Sequence, residues 1–148
     1  PYYNIEGKQN ISFWIPVDPV PLEWTLKLVA GSHKGRWYVP RNFLENQAKW
    51  FPEGSLTEIP DIDSNPEKYR VLKWKLEPGD AVAFHMLTLH SGEGTGELRR
   101  VFSIRMLGDD IMHAPRSWKT SPDFPGLSNQ LPAGKPMDHE LFPLAWPV

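Results

Sequence analysis

Sixteen of the 148 residues are proline, and they are spread along the chain rather than gathered in one segment. Each lacks a backbone N–H and fixes its own φ, so each interrupts a helix or marks the end or edge of a strand. Eleven glycines supply turns, and seven tryptophans prefer a pleated, half-buried surface. The chain is therefore expected to be mainly β, with many short strands and ordered loops, and not a helical bundle. Its length fits one domain over residues 1–148, long enough to bury a core and too short for two domains of ordinary size.

Sixteen basic and eighteen acidic residues give a formal net charge of -2 with no run of either sign. That balance carries no footprint for nucleic acid or for an anionic membrane surface. A small-molecule partner is the better expectation. The absence of cysteine excludes a disulfide scaffold, thiolate metal sites and cysteine nucleophiles, and it suits a reducing cytoplasm. No stretch reaches the roughly 20 apolar residues of a membrane span, and Pro1 is not followed by a signal-peptide pattern, so a cytoplasmic protein is expected.

Along the chain, residues 10–17 (NISFWIPV) alternate with the period of two of a strand that has two different faces. Residues 24–31 (WTLKLVAG) form a second candidate strand, ending in a Gly-Ser-His turn. Residues 37–68 are irregular and broken by Pro40, Pro52, Pro60 and Pro66, which marks a variable insert or lid with a short helix over Asn42 to Trp50. Residues 69–76 (YRVLKWKL) direct Leu72, Trp74 and Leu76 one way. The following Glu77-Pro78-Gly79-Asp80 predicts a type II turn, and with it a hairpin into the strand at 80–87. Another strand runs through 98–107, and the proline-rich tail from Gly108 is expected to wrap over the sheet. Five or so short strands with turns between them describe an antiparallel sandwich or jelly roll.

The stretch 84–105 (FHMLTLHSGEGTGELRRVFSIR) carries the chemistry. In strand geometry Arg99, Val101, Ser103 and Arg105 share one face, and Arg100, Phe102, Ile104 and Met106 the other. Apolarity makes the second face the expected core. The first is then either a solvated surface or the inside of a barrel mouth, where a guanidinium could pair bidentately with the carboxylate of a small acid. His90 ends an apolar run just before a flexible turn, so it is either an ordinary surface imidazole or a ligand for a divalent metal. His85 has the opposite parity and reads as structural.

The segment 78–110 (PGDAVAFHMLTLHSGEGTGELRRVFSIRMLGDD) resembles the distal half of the active site in the phytanoyl-CoA dioxygenase family of iron(II)/2-oxoglutarate oxygenases. The segments NISFWIPVDPV, LKLVAGSHKG and HELFPLAWP resemble other stretches of that family in the same order. The resemblance spans nearly the whole chain apart from 37–68. It implies a double-stranded β-helix, or jelly roll, incomplete at its N-terminus, with Fe(II) and 2-oxoglutarate as cofactors and hydroxylation of a small organic substrate as the activity. It also implies that His90 is the distal iron ligand and that Arg99 clamps the far carboxylate of 2-oxoglutarate, with Trp14 near that cosubstrate. No residue is singled out as catalytic in its own right, and the family's name does not by itself imply a coenzyme A thioester.

A facial triad needs two histidines and a carboxylate. In the family the other two ligands form a His-x-Asp motif ahead of a segment like residues 1–14, so the sequence is expected to begin just after that aspartate and to be inactive alone. The clusters Asp109, Asp110, His113 and Asp138, His139, Glu140 lie in turn-like segments. Asp109 and Asp110 are expected to cap or to pair with Arg105, His139 to lie on the surface, and His33 to fix its loop by hydrogen bonding. Two positions depart from the family: Leu22 to Thr25 (LEWT) replaces a Glu-Asn-Gly turn, and Gly92 stands where a hydroxyl residue often helps bind the cosubstrate. The competing readings are a non-catalytic jelly-roll module that binds ligand or self-associates, a homodimer being one form, and a cupin-like binder of small acids.

Overall fold

The computed structural model describes residues 2–40, 51, 54, 56–92 and 98–146. The expected helix at 42–50 and most of the glycine-rich loop after Ser91 lie outside these residues. Among the described residues the chain is mainly β, with eight short strands, one 3-10 turn at Ser32–Lys34 and one helical turn α1 at Leu127–Gln130. No helix among them is long and apolar enough to cross a membrane. The chain divides into two compact units, one of residues 1–10, 40–55 and 107–148, the other of residues 11–39 and 56–106.

In the second unit, β2 (Asn10–Pro16) is the strand expected from its period-two pattern. It pairs antiparallel with β5 (Val82–Phe84) and lies between β5 and β7 (Val101–Leu107). A second sheet places β3 (Lys27–Val29) between β4 (Val71–Leu72) and β6 (His90–Ser91), again antiparallel. Val20, Leu26, Leu28, Leu76 and Val82 form its core, with Trp14, Trp24 and Phe84 packed against them. These side chains come from both sheets, so the core joins them.

The Glu77–Asp80 turn forms as its sequence requires. The Asp80 N–H donates to the Glu77 carbonyl at 3.0 Å, and Gly79 takes a positive φ of 106°. The expected hairpin does not follow. β4 pairs with β3 and β5 with β2, so this turn carries the chain from one sheet to the other. A turn motif fixes a reversal of direction but not the strand that will be the neighbour.

The expectation for β7 also needs correction. Phe102, Ile104 and Met106, the expected core face, are exposed, Phe102 at 60 %. Periodicity separates two faces but does not say which one the rest of the chain covers, and β7 lies at the outside of its sheet. What fixes its start is Asp18. The Asp18 carboxylate accepts from the Arg100 backbone N–H at 2.9 Å and from the guanidinium at 2.6 and 3.1 Å, while the Val17 N–H donates to the Arg100 carbonyl.

In the first unit, β1 (Ile5–Glu6) pairs with β8 (Met112–His113). His113 is almost wholly buried. Its Nδ1–H donates to the Leu131 carbonyl, and its Nε2 accepts from Asn4. Gly7 is needed where it stands, at φ 138°, because a Cβ there would lie 2.6 Å from the Asp110 carbonyl oxygen. Asp110 accepts from the backbone N–H groups of Lys8 and Gln9. It therefore caps, as one of its two expected roles required, with chain near the N-terminus as its partner.

Two outcomes test this account. The Arg100 hydrogen bonds hold the Asp18 carboxyl down at about 2 from an ordinary 3.8. Its contribution to stability is therefore full above about 3.8 and is lost as pH falls through about 2. Thermal melts of Asp18→Asn should show a lower Tm at neutral pH and a weaker acid dependence between those values. Leu28→Ala, in the core and directly opposite His90, should cost roughly 2–5 kcal/mol in denaturant unfolding.

Candidate active site

The register of β2 with β5 pairs Ser12 with Phe84 and Trp14 with Val82. Trp14 and Phe84 are therefore diagonal neighbours on one face, about 7–8 Å apart at Cα. Each carries one of the two polar residues singled out by the sequence. The His90 ring lies against Phe84 with centroids 4.9 Å apart, and the Arg99 guanidinium lies over Trp14 at 5.6 Å from the ring centroid. Arg99 Nη1 also donates to the Trp24 carbonyl oxygen. Among the described residues no carboxylate is paired with Arg99. The guanidinium is oriented by an aromatic face and a backbone carbonyl.

His90 is held just as specifically. Its Nδ1–H donates to the Thr88 carbonyl at 2.7 Å, which leaves the Nε2 lone pair available. Leu89, beside it, is tied down on both sides. Its N–H donates to Ser32 Oγ and its carbonyl accepts from the Val29 N–H, while Ser32 Oγ itself donates to the Val29 carbonyl. The residue is exposed to solvent, yet protein lies close enough around the imidazole to desolvate it in part. Desolvation, ahead of the opposing Thr88 hydrogen bond and the charge of Arg105, holds its pKa below the ordinary 6.5.

Gly92 lies between the two groups in sequence and beside Arg99 in space. A Cβ there would sit 3.8 Å from Arg99 Nη2 and 3.4 Å from Leu26 Cδ2. Thr25, the residue after Trp24, is buried, and among the described residues its hydroxyl has no hydrogen-bond partner.

The structure therefore brings His90, Arg99 and Trp14 into one region of a single compact unit. His85 lies apart from them, its ring stacked on His33 at 5.0 Å and its Nδ1 accepting from the Leu87 N–H. Among the described residues no hydrogen bond from the His33 side chain accompanies the stacking. It is the neighbouring Ser32 that ties the loop by hydrogen bonds. His139 is half-buried and bonds Gln130. His113 has both ring nitrogens engaged, and among the described residues no three His, Asp or Glu side chains form a metal-binding group. His90 thus fits as one metal ligand, and a complete metal site is not formed by these residues. Sequence reasoning missed Phe84, whose alternation with Val82 placed it on the Trp14 face. It also missed the Trp24 carbonyl, a backbone group that leaves no trace in residue identity.

Two solved structures share this fold. The non-heme alpha ketoglutarate dependent carbocyclase SnoK from nogalamycin biosynthesis matches at a TM-score of 0.61 and 21% identity, over 95% of this chain and 51% of that one. The non-heme alpha ketoglutarate dependent epimerase SnoN from nogalamycin biosynthesis matches at 0.54 and 19%, over 96% of this chain and 52% of that one. The chain thus spans about half the length of the solved structures it matches, and its fold is the jelly roll of 2-oxoglutarate-dependent enzymes. The sequence model of the family described as Phytanoyl-CoA dioxygenase (PhyH) matches residues 1–101, and the chain belongs to that family. No curated protein matches it.

The geometry sets an expectation for His90. In an NMR titration its ring should show a midpoint below 6.5, so that the neutral form dominates at that pH, and Arg105→Gln should move the midpoint upward.

Proposed function

We propose that this chain carries the distal part of an iron(II)- and 2-oxoglutarate-dependent oxygenase site that hydroxylates a small organic molecule. In this reading His90 Nε2 is one iron ligand and Arg99 grips the far carboxylate of 2-oxoglutarate. Trp14 holds the guanidinium in place and walls the cosubstrate. The observation that carries the reading is the seating of the His90 imidazole and the Arg99 guanidinium on diagonal aromatic neighbours of one strand pair.

The iron, when bound, would supply a Lewis acid for the keto and near-carboxylate oxygens and a place for dioxygen. The chain's own residues do the rest of the work. Burial and Thr88 fix the tautomer that turns Nε2 toward a metal. Trp24 and Trp14 fix the fork of Arg99 so that it can meet a carboxylate with two parallel hydrogen bonds. In this reading the remaining ligands come from a His-x-Asp segment outside residues 1–148.

Isothermal titration of the 148-residue chain with 2-oxoglutarate tests the clamp directly. Arg99→Lys should weaken binding by about tenfold or more, since lysine keeps the charge but loses the two-pronged geometry. Equal affinity in the two proteins would reject Arg99 as the clamp. A polypeptide extended upstream to include His-x-Asp should consume 2-oxoglutarate. Failure of that longer chain to bind either iron or the oxo acid would end the enzyme reading, and a stable metal-free dimer in gel filtration would favour the self-associating module.

A further inference from the structure

Two turns brace the chain around His90, and a pair of stacked histidines joins them. The 3-10 turn at Ser32–Lys34 carries Ser32, whose Oγ accepts the Leu89 N–H and donates to the Val29 carbonyl, both at 2.8 Å. The second turn begins at His85. The Thr88 N–H donates to the His85 carbonyl at 2.8 Å, and the Thr88 carbonyl receives His90 Nδ1–H. Between the two turns the His33 and His85 rings stack, with centroids 5.0 Å apart and planes 28° from parallel. His85 Nδ1 accepts the Leu87 N–H at 3.1 Å, so that nitrogen carries no proton in the stacked arrangement. Two imidazolium rings at this spacing would repel each other. Among the described residues, the charged or titratable groups that act on His33 are His85 and Lys34, and neither is acidic. Desolvation, ahead of His85 and Lys34, holds the His33 pKa below the ordinary 6.5.

We infer that the His33–His85 stack is an acid-released latch that holds together the two turns bracing His90. His33 is a positioning residue, acting through Ser32 and Leu89 and not on a ligand. The stacked His33 binds a proton less readily than a separated one, whose pKa is the ordinary 6.5. The latch is therefore closed above 6.5 and is driven open as pH falls below that value. Opening draws Ser32 from Leu89 and frees the peptide beside His90. The inference goes beyond the iron reading, and its direct readout, an amide, involves neither metal nor 2-oxoglutarate.

Amide hydrogen exchange in the 148-residue chain reads the latch at Leu89. Corrected for the intrinsic rate, exchange of the Leu89 N–H should be flat above about pH 7 and quicken below it, by up to about tenfold per pH unit for one linked proton. His33→Phe keeps an aromatic ring against His85 and removes the proton, so its Leu89 exchange should stay flat over the same range. In NMR ring titrations, His85→Gln should raise the His33 midpoint toward 6.5. Leu89 exchange in the parent that does not quicken in acid overturns the latch. Parent-like quickening in His33→Phe also overturns it, since the dependence then belongs to another group, His90 being the nearest candidate. Should His33→Phe fail to fold, an unmoved His33 midpoint in His85→Gln shows that the rings titrate independently and overturns the proposal as well.

Discussion

The pairing of β2 with β5 is the contact on which the rest of the site depends. Its register decides that Trp14 and Phe84 look the same way, and each ring then supports one polar group. Apolar packing and polar presentation are therefore not separate achievements in this unit. Trp14 and Phe84 pack against Val20, Leu26, Leu28, Leu76 and Val82 on one flank and meet Arg99 and His90 on the other. Moving β5 by one residue would turn Phe84 away from the core and remove the support under His90.

Backbone groups complete what the rings begin. Thr88 sets the imidazole tautomer, Trp24 fixes one guanidinium nitrogen, and Ser32 braces Leu89 from a turn fifty-seven residues away in sequence. None of these contacts uses an opposing charge. That arrangement would suit the proposed anionic cosubstrate, because a resident carboxylate on Arg99 would compete with it. The charged partnership in this region belongs instead to Arg100 and Asp18, where it fixes the start of a strand.

Much of this was legible in the residues, and the failures have physical causes. The alternation in 10–17 identified β2 and the face carrying Trp14, and the parity of 98–107 correctly separated Arg99 from Arg100. The family followed from motif order and spacing. Strand partnership was not legible: the Pro78-Gly79 turn fixes a bend, and long-range packing decided that it joins two sheets. Nor was the environment of Phe102, Ile104 and Met106, since burial depends on what lies opposite and not on the residue itself. Asp110 illustrates the same limit at a smaller scale, for its type suggested a cap but not that Lys8 and Gln9 would supply the N–H groups.

Arg99 and Arg100 are identical side chains on consecutive residues, one seated on Trp14 and the other on Asp18. The difference between the proposed ligand clamp and the strand fastener thus lies in which way each of two adjacent side chains turns. Inserting or deleting one residue between this pair and β7 would put one arginine in the other's place while the local charge stayed the same. Sequence comparisons that count a conserved basic pair would score such a change as silent, although chemically it would be among the least silent this chain could suffer.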